Sequence, residues 1–155
     1  MRRREFIALI GGAAILWPCA GRAQQAKRIF KIGYIEAGSP SSSPQLLAAF
    51  RTELRRLGYV EGENLFIERR YAQGREELPN ITSELMQFGV DVIFTIGPQI
   101  ALAASKVTDT IPIVFVGGGD PVEIGLVKSL ARPGANVTGL TLSAVELAAK
   151  RIQLL

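Results

Sequence analysis

Histidine is absent from the 155 residues, and the one cysteine, Cys19, lies close to the amino terminus. Those two scarcities remove several chemistries at once. Zinc and other Cys/His metal centres lack their ligands, thiol catalysis lacks a nucleophile in the body of the chain, and a Ser-His-Asp triad lacks its base. A body without cysteine needs no disulfide, so it says little about redox compartment. Phosphate loops are missing as well: no glycine-rich turn ends in Gly-Lys-Ser/Thr, and no Gly-x-Gly-x-x-Gly follows the first apolar run. Catalytic residues, metal ligands and cofactors are accordingly expected to be none.

Basic residues outnumber acidic ones by a net charge of +4, but Arg2, Arg3, Arg4 and Arg22 against Glu5 put most of it at the front. The remainder is close to neutral and lacks the clustered basic footprint that binding a phosphate backbone needs. A nucleic-acid partner is not expected. The length suits one well-packed core and is short for two.

The front of the chain is a leader. Met1 to Arg4 is basic, Phe6 to Trp17 is apolar and small, and Gly21-Arg22-Ala23 offers a small-x-Ala cleavage site. The apolar run is about a dozen residues, short of the roughly 18 to 20 that a permanent bilayer span requires. Residues 1–23 therefore read as a signal peptide, cut near Ala23, that delivers a periplasmic product. Arg2 to Ile7 is similar to a twin-arginine export motif, with the general secretory route as the alternative. Trp17 and Pro18 are too bulky to precede a lipidated Cys19.

From Lys27 onward, short β-branched apolar runs alternate with segments of helical period, which predicts parallel βαβ units. Ile29 to Ile35 is the first strand, and Gly38 to Ser43 the loop after it. Pro44 opens a helix whose stripe is Leu47, Phe50, Leu54 and Leu57, with Gly58 as its cap. Leu65 and Ile67 alternate with Phe66 and Glu68 in an edge-like strand. Leu78, Ile81, Leu85 and Phe88 repeat the helical stripe and Gly89 closes it. Val90 to Ile96 and Ile111 to Val116 are continuous apolar runs, as strands covered on both faces require. Gln99 to Val107 between them is helical, a helix is expected over Val122 to Leu130, and Val137 to Leu142 is a short strand. Ala144 to Leu155 begins a further helix with its own apolar stripe. The predicted fold is α/β, an open parallel sheet with helices on both faces.

Ligands of such sheets sit beyond the carboxyl ends of the strands. Three loops qualify there: Glu36 to Pro44, Gly97 to Gln99 and Gly117 to Pro121. Their unpaired backbone N–H groups can hold a carboxylate or phosphate, although glycine and proline also serve such turns for conformational reasons alone. Asp120 is an acid that could meet a ligand ammonium or simply cap the turn before Pro121. Glu76 and Glu77 near a helix start suit a dipole-favoured surface position better than a catalytic pair.

The segments KIGYIEAGSPSSSP, LGYVEGENLFIE, VDVIFTIGPQIALAASK and IPIVFVGGGDPVEIGLVKSLARPGANVTG, together with the leader RRREFIALIGGAA, strongly resemble the bacterial ABC transporter substrate-binding proteins whose better-known members bind aromatic amino acids. The resemblance implies a type I periplasmic-binding fold, of which this chain holds the first lobe: a leader over 1–23, an α/β lobe over 24–142, and over 143–155 the start of a crossover helix into a second lobe. It also implies a small-molecule ligand such as an amino acid, an ABC permease in the membrane as partner, and no enzymatic activity. Carried over by position, the ligand-binding residues are Gly38 and Ser39, Gly97 and Gln99, and Gly118 and Asp120. A ligand-sensing module of the same fold, serving a receptor or regulator, is the alternative reading. An exported enzyme on a flavodoxin-like sheet is a third, which the missing histidine and mature cysteine weaken.

Overall fold

A computed structural model describes residues 28–142; the leader expected over 1–23 and the crossover segment expected over 143–155 lie outside the described residues. The elements are β1 (Phe30–Ala37), α1 (Pro44–Arg56), β2 (Leu65–Ala72), a 3-10 turn (Arg75–Glu77), α2 (Leu78–Phe88), β3 (Val92–Ile96), α3 (Pro98–Ser105), β4 (Ile113–Gly118) and β5 (Val137–Leu142). They form one sheet in the order β2-β1-β3-β4-β5. Every pairing in it is parallel. The polar alternation of β2 does place it at an edge, and the apolar runs of β3 and β4 do lie inside.

Strand periodicity sorts the side chains onto two faces. Ile32 and Tyr34 of β1 join Leu47 of α1, with Phe50, Leu54 and Phe94 packed against them. The Phe50 and Phe94 rings stack with centroids 4.3 Å apart. On the opposite face Ile35, Ile93, Ile113 and Phe115 meet Leu78, Ile81 and Leu85 of α2 and Ala101 and Ala104 of α3. Each large apolar side chain so buried contributes about 1.5–3 kcal/mol. Helices therefore cover both faces, α1 on one and α2 with α3 on the other. Among the described residues no helix covers the far end of β5, where Leu140 and Leu142 are 73% and 70% exposed.

The helix ends follow their sequence signals. Pro44 occupies the first turn of α1, where its missing N–H costs nothing. Past the other end, the N–H of Gly58 bonds to the Arg55 carbonyl at 2.9 Å and that of Tyr59 to the Leu54 carbonyl at 2.8 Å. Leu57, expected on the buried stripe, is the capping residue instead and is exposed.

Val122 to Leu130 does not form the expected helix. Gly125 takes a φ of 74°, which bends the backbone out of the helical path. The N–H groups of Leu126 and Val127 both reach back to the Pro121 carbonyl, at 2.9 and 3.2 Å. Leu126 and Val127 are nevertheless buried in the core. Two adjacent apolar residues are thus buried by a compact turn.

Candidate functional site

The carboxyl ends of β1, β2, β3 and β4 converge on a cavity of about 400 Å³. β3 enters it through Ile96 and Gly97, and α3 begins there with Pro98, Gln99 and Ile100. Gly97 has a φ of 114°, a conformation that side chains with a β-carbon rarely adopt. Next to it, a β-carbon on Gly117 would stand 3.0 Å from the Gly97 α-carbon. The two glycines let β4 end flush against the start of α3. Gly118 and Gly119 then complete that wall.

The groups that border the cavity directly, among the described residues, carry positive charge or partial charge, while the Glu76 carboxylate lies against Gly74 at its margin. The N–H groups of Gln99 and Ile100 lie in the first turn of α3, where a helix supplies no acceptor, and Gly97 brings no capping side chain. The positive end of the α3 dipole therefore faces the cavity. Among the described residues Arg75 is the one charged residue in its lining, and no aspartate or glutamate joins it. No hydrogen bond or ion pair engages the Arg75 side chain among the described residues. Leu78, Ile96, Ile100 and Ile124 supply the apolar remainder.

Of the residues expected from sequence, Gly97, Gln99 and Gly118 come together in this cavity. Gly38 and Ser39 stand beside it without lining it. The Gly38 carbonyl accepts from Gln73 Nε2 at 2.5 Å, and Gln73 does line the cavity. The Ser39 and Ser41 hydroxyls lie 2.9 Å apart, while the Ser39 N–H donates to Ser42 Oγ at 2.9 Å. Asp120 also lies outside the lining. Its Oδ1 accepts the Val122 N–H at 2.8 Å and the Glu123 N–H at 3.3 Å, so it caps the turn that Pro121 begins.

Glu76 and Glu77 sit in the 3-10 turn ahead of α2, and Glu77 Oε2 accepts the Gln73 N–H at 2.9 Å. The segment Gln73 to Arg75 was not among the expected loops. Its signal was available, since any loop after a parallel strand reaches the same rim.

Comparison with known proteins agrees with this architecture. Residues 40–155 match the family described as ABC transporter substrate binding protein. A tyrosine-binding protein of Clostridioides difficile is 35% identical over 117 residues, which is 74% of this chain and 33% of that protein. The ligand-free, open structure of a substrate-binding protein with adhesive properties from Clostridium difficile superposes with a TM-score of 0.71 at 30% identity, over 81% of this chain and 43% of that one. A conserved domain protein from Vibrio cholerae gives a TM-score of 0.71 at 33% identity over 81% of this chain and 43% of its own. The chain thus spans a third of the curated relative, at 33%, and under half of the solved ones.

Proposed function

Because the chain belongs to the ABC transporter substrate-binding protein family, we propose that it is the extracytoplasmic solute-binding component of an ABC importer, holding an amino acid or similar small polar solute at the carboxyl rim of its sheet. The cavity in which Gly97, Gln99 and Gly118 meet carries this reading. The first-turn N–H groups of α3 take the solute's carboxylate, and Ile96, Ile100 and Leu78 take its apolar part. Gly38, Ser39 and Asp120 form the margin of the site. An aromatic amino acid fits this division, and the 35% identity to a tyrosine-binding protein supports it.

No bond is made or broken in this function. A second lobe closes over the solute, and the closed form docks on a permease in the membrane. The leader over 1–23 exports the chain, with cleavage near Ala23, and the binding step takes place in the periplasm. The test is isothermal titration of the complete gene product with each proteinogenic amino acid. Saturable heat with aromatic members is expected. Silence across the whole set sinks the proposal.

A further inference from the structure

Building on the binding site just proposed, we infer that Thr141 is a positioning residue for it: the Thr141 hydroxyl holds the glycine wall of the cavity in its binding shape. Gly117, Gly118 and Gly119 follow one another at the end of β4, and the last two line the cavity. Glycines in a row restrict the backbone less than any other residues would, so the wall must be held from outside. Strand pairing holds its first part. Gly117 lies opposite Thr141 and Gly118 opposite Leu142 on β5. The ladder then ends, and Gly119 stands beyond it with a φ of 102°. Its carbonyl accepts the Thr141 hydroxyl. Past Gly119 the chain is secured again, where the Asp120 carboxylate accepts the Val122 and Glu123 N–H groups. The hydroxyl thus bridges the step between the ladder and the capped turn.

The reach of Thr141 depends on how closely β5 approaches β4. Strand alternation puts Val137, Gly139 and Thr141 on one face, and Val137 is buried in the core that α2 and α3 cover. A β-carbon on Gly139 would collide with the Phe115 carbonyl oxygen and ring, so glycine lets the strand lie tight against its neighbour. Two residues on, Thr141 arrives beside the wall. Branching at its β-carbon limits the side chain to few rotamers, which keeps the hydroxyl aimed. A wall already in place loses little freedom when a solute arrives. One released from its brace must be ordered at that moment, and affinity falls by the cost of ordering it.

The experiment uses the complete gene product with L-tyrosine as probe. Thr141→Val keeps the branched shape and removes the donor, and is expected to weaken tyrosine binding by about three- to tenfold in titration calorimetry. Thr141→Ser keeps the donor and stays within about twofold of the unaltered protein. Amide exchange of the solute-free proteins separates a loosened wall from a general loss of stability. In Thr141→Val it quickens at Gly118 and Gly119 but not in β1 or β3, and saturating tyrosine removes the difference. Unchanged affinity in Thr141→Val, an equal loss in both variants, or exchange that quickens across the whole sheet overturns the role of Thr141 while amino-acid binding stands. No heat from the unaltered protein with tyrosine or any other amino acid removes the binding reading and this role with it.

Discussion

The two rims of the sheet are built from the same strands and use polar groups in opposite ways. At the amino rim, the residue just before β2, β3 and β5 is Asn64, Asp91 and Asn136, and each is spent on the backbone. Asn64 Oδ1 accepts the Val60 N–H at 2.7 Å and its Nδ2 donates to the Gly58 carbonyl at 2.8 Å. Asp91 accepts the Lys31 N–H at 2.8 Å and pairs with Arg28 at 2.6 Å. Asn136 Nδ2 bridges the Thr108 and Ile111 carbonyls at 3.0 and 2.7 Å. At the carboxyl rim the residue just after β1, β3 and β4 is Gly38, Gly97 and Gly119, and Arg75, the one charged residue of the lining among the described residues, has no hydrogen-bond or ion-pair partner among them. One rim is stitched closed and the other left with unspent hydrogen-bonding capacity. The backbone-securing side chains thus gather at one edge of the sheet, and the cavity proposed to bind solute lies at the other.

The largest expected effect breaks the closed rim. Asn136→Ala leaves two partly buried carbonyls without their donor and costs about 2 kcal/mol in urea unfolding, while solute affinity in the complete protein stays within about twofold. Gly97→Ala strikes the open rim. A β-carbon at that φ strains the turn by about 1 kcal/mol and projects into the cavity, so affinity falls more than stability. If the two variants affect binding equally, the division between rims is wrong.

A smaller effect follows from pH. The Lys31 N–H, with help from the Arg28 guanidinium and against some burial, holds the Asp91 carboxyl below its ordinary value. The unfolded chain therefore takes up that proton first. The contribution of Asp91 is complete above the ordinary aspartate value near about 4 and drains away as pH falls below it. Urea midpoints at about pH 6 and about pH 3.5 should differ less in Asp91→Asn than in the unaltered chain. Smallest of all is Asp120→Asn, which keeps the capping oxygen and should change stability by under about 0.5 kcal/mol. A tenfold loss of affinity in that variant would add an acid to the solute's surroundings and sharpen the account of the open rim.

Most of this division was legible in the amino-acid sequence, but unevenly. Every strand and three of the helices were placed by apolar spacing, because burial and periodicity coincide there. Strand boundaries drifted where apolar residues are buried without being paired. Val90 lies in the core, yet its N–H returns to the Leu85 carbonyl at 3.3 Å and so belongs to the end of α2, not to β3. Ile111 likewise precedes β4. The helix expected over Val122 to Leu130 failed at Gly125, whose positive φ is invisible in a hydrophobic pattern.

At the site, glycine pointed to Gly97 and Gly118, which border the cavity. It could not reveal that Arg75 borders the cavity without a partner among the described residues, a property that only the folded arrangement displays. Asp120 shows the converse. Its place before proline was open to two readings, and the Val122 and Glu123 N–H groups it accepts account for the capping one.

The bare leucines of β5 matter for anyone who prepares this lobe by itself. Among the described residues β5 has β4 as its one strand neighbour, and an edge strand with two exposed leucines is a template on which another molecule can add a strand. Light scattering of such a preparation should rise with concentration, and a charged residue at Leu140 or Leu142 should suppress that rise without disturbing the cavity at the other side of Gly118.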